Sequence, residues 1–299
     1  MTPPPSPPPP PSFLRSGGSA TLSIVSGANS GIGLAYVHSL LQEEGCHVLA
    51  IDRDIDVVSR MGPRVVAVKV DVTRSQELRS ILASVVGDGP AMDETRRVRG
   101  MPLRLVVSNV GWLCCDRPGD GPLGGNSTEE WHRAWDINVA SHVTVYQATR
   151  DALKRSADAE AGSAGFVLTA SAAGLLTMVG AHVYAVTKAA AVSLAQQIAI
   201  VDGDWLRVTV SCPQAVATAM AKDASPLAAA ASAFDGTVEA ADVVAAAYAS
   251  LGDRTFFSFP HQKVRRYLGQ KHADIDAWIV AMRRAQRGLS KAVVGRSKL

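Results

Sequence analysis

The sequence predicts an α/β fold, a doubly wound parallel sheet with helices on both of its faces. Short apolar runs alternate with segments of helical periodicity from residue 20 to residue 260, the pattern of strands joined by crossover helices. The composition agrees, because 47% of the residues are hydrophobic but only 5% are aromatic, which favours small-residue packing between helices and sheet over an aromatic-rich all-β core. We expect one domain with about seven strands.

The candidate strands are short apolar runs bounded by turn residues. They cover residues 22–25, 47–51, 65–70, 105–108, 166–170, 206–211 and 255–259. A helix is predicted over residues 34–41, directly after the first strand. Two polar stretches without periodicity, 87–104 and 154–163, are interpreted as insertions before the fourth and fifth strands, the first of them exposed.

The two ends of the chain differ from this body. The first twelve residues hold half of the sixteen prolines, so residues 1–18 are predicted to be a disordered leader without the apolar segment of a signal peptide. The domain is expected over residues 19–260. Apolar side chains then recur at helical spacing, which predicts an amphipathic helical extension over 261–289 and a flexible tail over 290–299.

The last three residues are Ser297, Lys298 and Leu299. A terminal S-K-L is an address read by the peroxisomal import receptor. The sequence therefore predicts this receptor as a partner, and a peroxisome or a related organelle such as a glycosome as the location. A cytoplasmic location is the alternative if the ending is coincidental.

Charge and cysteine content limit the classes of ligand. Thirty Lys and Arg against 27 Asp and Glu give a net charge of +3, too small to indicate nucleic-acid binding. The four cysteines show no metal-ligand spacing, so no metal site is expected. The uncharged stretch 161–187 is interpreted as a buried strand, a loop and a helix start rather than a transmembrane segment, because it contains four glycines. We expect a small-molecule substrate.

A glycine-rich turn follows the first strand and opens the first helix. Glycines permit a tight turn and a close approach of the backbone to a pyrophosphate, which then lies against the free N–H groups of the helix. The residues predicted to bind a dinucleotide here are Gly27, Asn29, Ser30, Gly31, Ile32 and Gly33.

An acidic residue, Asp52, ends the second strand, nineteen residues after Gly33. Its carboxylate is placed to bind the ribose hydroxyls of the adenosine and to repel a 2′-phosphate, which favours NAD. The neighbouring Arg53 is able to neutralise such a phosphate, so NADP remains the alternative.

Tyr184 and Lys188 are four residues apart at the start of a predicted helix and share one face of it. An ammonium group that close is expected to lower the pKa of the phenol towards the range of a general acid or base. Ser171, just past the fifth strand, is placed to bind the same substrate oxygen, and Asn138 precedes all three in the chain.

With these motifs in order, the sequence resembles the short-chain dehydrogenase/reductase family over about residues 22–259. The glycine motif of the family appears at 26–33 with Ser26 in place of Thr. Its active-site tetrad matches Asn138, Ser171, Tyr184 and Lys188. In the motif at 108–111, Asn109 and Gly111 match and Val110 replaces Ala. In a later motif, Gln214 replaces Gly after Pro213.

The resemblance implies a Rossmann fold and an NAD(P)-dependent oxidoreductase acting on a CH–OH group. It implies that Tyr184 moves the hydroxyl proton, that Lys188 binds the nicotinamide ribose, that Ser171 orients the substrate oxygen and that Asn138 holds a water. Further cofactor contacts are implied at Asp71, Val72, Asn109, Gly111, Pro213, Val216 and Thr218. A homodimer or homotetramer through helices over 138–150 and 184–200 is also implied.

The substrate is less constrained by the sequence. Residues 219–236 occupy the family's lid position, and their Ala-rich composition with Met220, Leu227 and Phe234 suggests an apolar or lipid-derived substrate. Trp112, Cys114 and Cys115 are candidates for a second wall of the substrate pocket, and His182 either lines that pocket or is a structural histidine.

One candidate substrate class is a 3-hydroxyacyl-CoA ester or a related lipid alcohol. Arg96, Arg97 and Arg99 are either contacts for the CoA phosphates or part of an exposed charged loop. An NADPH-dependent carbonyl reductase is the alternative enzyme. A non-catalytic nicotinamide-binding sensor is the alternative of another class.

Overall fold

The structure is a computed structural model and describes residues 6–15, 19–116, 125–232 and 235–296. Its centre is one parallel sheet of seven strands in the order β3-β2-β1-β4-β5-β6-β7. The strands are β1 (Thr21–Ser26), β2 (Cys46–Asp52), β3 (Val65–Lys69), β4 (Leu103–Ser108), β5 (Gly165–Thr169), β6 (Arg207–Ser211) and β7 (Phe257–Ser258). The winding reverses between β1 and β4, which opens a crevice at their carboxyl ends.

Eleven α-helices are described. They are α1 (Gly31–Leu40), α2 (Ser75–Val86), α3 (Thr128–Trp135), α4 (Ser141–Ala159), α5 (Ala173–Leu176), α6 (His182–Asp202), α7 (Ala219–Lys222), α8 (Pro226–Ser232), α9 (Ala240–Gly252), α10 (Lys263–Ala273) and α11 (Ile275–Arg296). A π-helical turn, Asp136–Ala140, joins α3 to α4.

The helices form a layer on each face of the sheet. Helices α2, α4 and α6 cover one face, and α1 and α9 cover the other. Within β1, Leu22 and Ile24 belong to the first core, whereas Val25 belongs to the second. The strands are thus buried on both faces, as near-continuous apolar runs predict. The predicted doubly wound α/β fold is confirmed.

The two interpreted insertions contain more regular structure than expected. Helix α4 runs to Ala159 and includes six of the ten residues of the stretch 154–163, because Ser156 and Ala157 are buried and Lys154 pairs with Asp158 one turn later. The stretch 87–104 contains a 3₁₀ turn, Arg96–Val98, and the start of β4. Helix α1 begins at Gly31, three residues earlier than predicted.

Part of the proline-rich leader packs on the domain, which differs from the expected disordered segment. Gln42 Nε2 donates a hydrogen bond to the Pro7 carbonyl at 2.8 Å, and Ser39 Oγ donates to the Pro8 carbonyl at 2.5 Å. Leu14 is only 5% exposed. Residues 6–15 are therefore attached to the α1 face of the sheet.

The other end of the chain also differs from expectation. Helix α11 continues to Arg296, through most of the predicted flexible tail. Ser297, Lys298 and Leu299 lie outside the described residues, so the import signal stays a prediction.

One described helix, α6, is long and apolar enough to span a membrane by composition. Half of its apolar window is buried inside the fold, and Thr187 and Lys188 are at most 2% exposed. Helix α6 packs in this way as a core helix.

Candidate active site

A cavity of about 1280 Å³ lies at the carboxyl ends of the central strands. It is lined by residues predicted to bind the cofactor and by residues predicted to be catalytic. Every predicted site residue lines it except Asn29, Gly33 and Asn138; the lining set is Gly27, Ser30, Gly31, Ile32, Asp52, Arg53, Asp71, Val72, Asn109, Gly111, Ser171, Tyr184, Lys188, Pro213, Val216 and Thr218.

The glycine-rich turn is a cradle with no space for side chains at two positions. A Cβ atom on Gly33 would lie 1.9 Å from the Gly27 carbonyl oxygen, and one on Gly31 would lie 2.9 Å from Thr218 Cγ2. Gly31 also has φ +52°, in the left-handed region that favours glycine. The turn therefore brings bare backbone and the start of α1 against the cavity, as a bound pyrophosphate requires.

Asn29 supports this turn from behind rather than facing the cavity. Its backbone N–H donates to Asp52 Oδ2 at 2.9 Å. Its side-chain oxygen accepts from the N–H groups of Val57 and Val58 at 2.9 and 3.1 Å. Asn29 thus fixes Asp52 beside the turn.

The adenosine end of the cavity contains two carboxylates. Asp52 lies at the end of β2 with the exposed Arg53 beside it. Asp71, past the end of β3, accepts hydrogen bonds from the N–H and the hydroxyl of Thr73 at 3.0 and 2.8 Å. These hydrogen bonds hold the pKa of Asp71 below its usual range. The Asp71 carboxylate is therefore available as an acceptor at neutral pH.

The segment after β4 joins the two ends of the cavity. Asn109 N–H donates to Ser26 Oγ at 3.0 Å, and its side-chain amide reaches the Gly27 carbonyl at 3.4 Å. A Cβ atom on Gly111 would lie 3.1 Å from Lys188 Nζ. Residues 109–111 of this loop therefore contact the glycine-rich turn at one end and approach the buried Lys188 at the other.

Asn138 lies in the π-helical turn, fully buried and behind the cavity wall. Its oxygen accepts from Trp112 N–H at 2.7 Å, and its amide donates to the Trp112 carbonyl at 3.0 Å and to Thr187 Oγ1 at 2.9 Å. The side chain therefore connects the loop after β4 to α6, one residue before Lys188. Both of its N–H donors are used within the protein, so this side chain is placed to position its neighbours.

Ser171, Tyr184 and Lys188 meet at the inner end of the cavity, each less than a tenth exposed. Lys188 Nζ donates to the Thr169 carbonyl at 2.9 Å and lies 5.7 Å from the centre of the Tyr184 ring. Ser171 Oγ accepts from Ala173 N–H at 3.1 Å.

The pKa expected for Tyr184 from its spacing to Lys188 is wrong for this structure. Burial raises the pKa of Tyr184 to about 12, and a hydrogen bond with Ser171 opposes this rise only in part. Burial also lowers the pKa of Lys188 to about 8. Desolvation disfavours the charged form of each group and is the largest cause of both pKa shifts.

Two further side chains beneath the site were not predicted. His142 is fully buried, with Nδ1 2.7 Å from Ser108 Oγ, and burial together with the charge of Lys188 lowers its pKa to about 3. It is therefore neutral. Thr187 accepts from Asn138 and donates to the Tyr184 carbonyl. Neither residue carries a motif signal, since each depends on contacts between distant segments.

The substrate side of the cavity has apolar walls. Trp112 lines it as expected, but Cys114 and Cys115 do not and pack in small clusters behind it. His182 is the structural histidine of the two alternatives, because its Nδ1 and its N–H both contact Asp116 Oδ1, at 2.6 and 2.9 Å.

The predicted lid contributes in part to this side. Met220 lines the cavity, whereas Leu227 packs beneath Gly180, and Phe234 lies outside the described residues. Leu176, Met178 and Ala224 add further apolar surface. The C-terminal helices contribute Tyr267, Gln270, Trp278, Met282, Ala285 and Leu289, none of which was expected in the site.

Comparisons with known proteins agree with this geometry. The family model of the short chain dehydrogenases matches residues 22–228. The chain is similar to 1-deoxy-11-beta-hydroxypentalenate dehydrogenase of Streptomyces exfoliatus, 27% identical over 262 residues that cover 85% of this chain and 87% of that protein.

Solved structures share the fold. One is a short chain dehydrogenase/reductase from Burkholderia phymatum in complex with NAD, with TM-score 0.70 and 22% identity, covering 87% of this chain and 95% of the other. Another is a short chain dehydrogenase from Burkholderia cenocepacia in complex with NADP, with TM-score 0.68, 19% identity and the same coverage. The protein is an NAD(P)-binding oxidoreductase that acts on CH–OH groups, and the chain belongs to the short-chain dehydrogenase family.

Proposed function

We propose that the protein is an NAD-dependent dehydrogenase that interconverts an apolar secondary alcohol and its ketone. One observation carries this proposal: Ser171, Tyr184 and Lys188 converge on a single cavity that also contains the glycine-rich turn and Asp52. A proton carrier, a fixed cation and a dinucleotide cradle are thus combined in one place.

The residues present fit a nicotinamide dinucleotide. The turn at Gly31 and Gly33 leaves room for backbone alone, and the start of α1 offers unpaired N–H groups to the pyrophosphate. Lys188 has three N–H donors, of which one is given to Thr169, so two remain for ribose hydroxyls. The bound nicotinamide supplies the group that accepts or donates a hydride.

Tyr184 carries the proton in either direction. In oxidation the phenolate takes the proton of the substrate hydroxyl while the carbinol carbon loses a hydride. In reduction the phenol returns a proton to the oxygen while the carbon gains a hydride. Ser171 orients that oxygen, and its contact to Ala173 N–H holds the hydroxyl in place. Asn138 acts as a positioning residue, because its side chain joins the loop at Trp112 to α6.

NAD is the preferred cofactor in this proposal. Asp52 is held beside the turn by Asn29 N–H, where its carboxylate is placed to accept from ribose hydroxyls and would repel a 2′-phosphate. Arg53 is exposed next to it and is the group that an NADPH-dependent reductase would use.

An apolar substrate is supported by the apolar residues that line the same cavity as Tyr184, which include Trp112, Met178 and Met220. The alternative of a 3-hydroxyacyl-CoA ester loses its expected contacts. Arg97 and Arg99 donate instead to the carbonyls of Pro63 and Ser84, and neither they nor Arg96 line the cavity.

An association of like subunits is part of the same proposal. Helix α6 leaves Val186, Ile200 and Val201 exposed at 49%, 74% and 68%, which suits a helix face that packs against a second copy. Light scattering on the purified protein tests it, and a monomer at micromolar concentration would contradict it.

The experiment for the function measures NADH and NADPH formation by the purified protein with 2-octanol and with 3-hydroxyacyl-CoA esters. We expect NAD-linked turnover of the apolar alcohol, reduced about 10²- to 10⁴-fold in Tyr184→Phe, with NAD affinity unchanged. Tight NAD binding without turnover of any alcohol or ketone would contradict the proposal and support a sensor.

A further inference from the structure

The C-terminal extension, defined here as α10 and α11, has one face directed at the cavity. Among the described side chains of α11, which cover residues 275–289, only Trp278, Met282 and Leu289 are not exposed. All three line the cavity, as does Ala285 between them. Their spacings of four, three and four residues place them on a single stripe of the helix.

The extension is attached on both sides of the cavity. Lys271 Nζ donates to the Leu175 carbonyl at 2.5 Å, in the short helix that follows Ser171. On the other side Asp235, just after α8, forms an ion pair with Lys263 at 2.9 Å and accepts from the Tyr267 hydroxyl at 3.0 Å. The Asp235 side chain is only 2% exposed, so this anchor is buried.

Helix α11 packs against α8 and α10, and Trp278 also contacts the main hydrophobic core. The residues of the apolar stripe line the cavity. Leu176, Met178 and Met220 line the same cavity and have similar apolar chemistry. Methionine side chains adapt to apolar ligands of irregular shape. The carboxylate of Asp235 adds no free charge there, because Lys263 pairs with it.

We propose that the C-terminal extension is the roof of the substrate cavity and that Trp278 and Met282 select secondary alcohols with a large apolar body. This inference rests on the proposed function and names its substrate class. The apolar body of the substrate fills the space beneath α11 and completes the packing of its stripe. A small alcohol reaches Tyr184 without touching that stripe.

The test compares two alkan-2-ols in the full-length enzyme with saturating NAD. Trp278→Ala and Met282→Ala are each expected to raise the KM for 2-octanol about tenfold and to change the KM for 2-propanol by less than about twofold, since only the larger alcohol buries surface against the stripe. Ile279→Ala is the matched control, because Ile279 lies on the same helix and is 45% exposed. It is expected to leave both values unchanged.

A second measurement does not depend on turnover. Arg283, Arg284 and Arg287 are exposed on α11 and are sites for trypsin. With NAD present, 2-octanol is expected to slow cleavage there by about threefold or more, because it stabilises the helix that it contacts. 2-Propanol is expected to have no effect, and Trp278→Ala to abolish the protection.

The two proposals fail in different ways. Equal changes in KM for both alcohols, or no change with either, would overturn the roof, as would the absence of protection from trypsin. Absence of hydride transfer to NAD or NADP with any alcohol would overturn the proposed function, and protection by 2-octanol would then still support the roof.

Discussion

The two halves of the cavity are built differently. On the cofactor side backbone packs against backbone, so that a single added carbon at Gly33 would overlap the Gly27 carbonyl. On the substrate side the wall from α11 consists of side chains, and twelve of the fifteen side chains described in that helix are exposed. The difference indicates that backbone geometry fixes the shape of the cofactor half, whereas the identity of the side chains sets the shape of the substrate half.

The largest difference in the free energy of unfolding is expected between Gly→Ala substitutions at two helical glycines, one in each half. Gly33→Ala places a Cβ atom 1.9 Å from a carbonyl oxygen, so α1 must move away from β1. We expect a loss of about 3 kcal/mol or more in the free energy of unfolding. Urea denaturation measures it.

The matched control is Gly269→Ala in α10, where an added Cβ meets nothing within 4 Å. Alanine is the better helix former, so this substitution is expected to stabilise the protein by up to about 1 kcal/mol. Equal destabilisation by both substitutions would remove the contrast between the two halves.

Asn138→Ala tests the connection between the halves. The substitution leaves the half-buried N–H of Trp112 without its acceptor and the buried Thr187 hydroxyl without its donor. We expect a loss of about 2 kcal/mol in stability, together with a lower kcat and an unchanged affinity for NAD. A full kcat with the same loss of stability would show that Asn138 does not position the catalytic side chains.

Asp52→Asn tests cofactor choice within the rigid half. The amide oxygen preserves the hydrogen bond from Asn29 N–H but removes the charge. We expect the ratio of kcat/KM for NAD to that for NADP to fall about tenfold, because the repulsion of the 2′-phosphate is lost. Asp54→Asn, at an exposed position nearby, serves as the control, and an equal shift in both variants would argue against a specific role for Asp52.

The pH dependence of alcohol oxidation provides a smaller effect. Below the Tyr184 pKa of about 12, each rise of one pH unit makes the phenolate of Tyr184 tenfold more abundant. Above the Lys188 pKa of about 8, each rise of one pH unit makes the ammonium form of Lys188 tenfold less abundant. We expect kcat/KM to rise up to about pH 8 and then to level, because the two changes cancel. A plateau that is already reached at pH 6 would show that Lys188 lowers the Tyr184 pKa after all.

The same contrast explains what the sequence reveals. Gly31, Gly33 and Asp52 can be recognised in the sequence because a strand, a turn and a helix follow one another locally. Tyr184 and Lys188 can be recognised because a four-residue spacing places both on one helix face. The fold class follows from alternation along the chain.

Features that depend on distant segments were not predicted. The contacts of Asn138 to Trp112 and Thr187 join three elements, and the burial that raises the Tyr184 pKa exists only once the sheet has formed. The amphipathic pattern of α11 predicted a helix but not which surface it faces. Polyproline carries no periodicity, so the attachment of the leader to Ser39 had no signal.

The most direct test of the central claim follows the hydride itself. The enzyme is incubated with NAD and 2-octanol that carries deuterium on the carbinol carbon, and the NADH formed is analysed by mass spectrometry. The account predicts NADH heavier by one mass unit, with formation reduced about 10²- to 10⁴-fold in Tyr184→Phe. Unlabelled NADH, or labelled NADH formed at an equal rate by the variant, would contradict it.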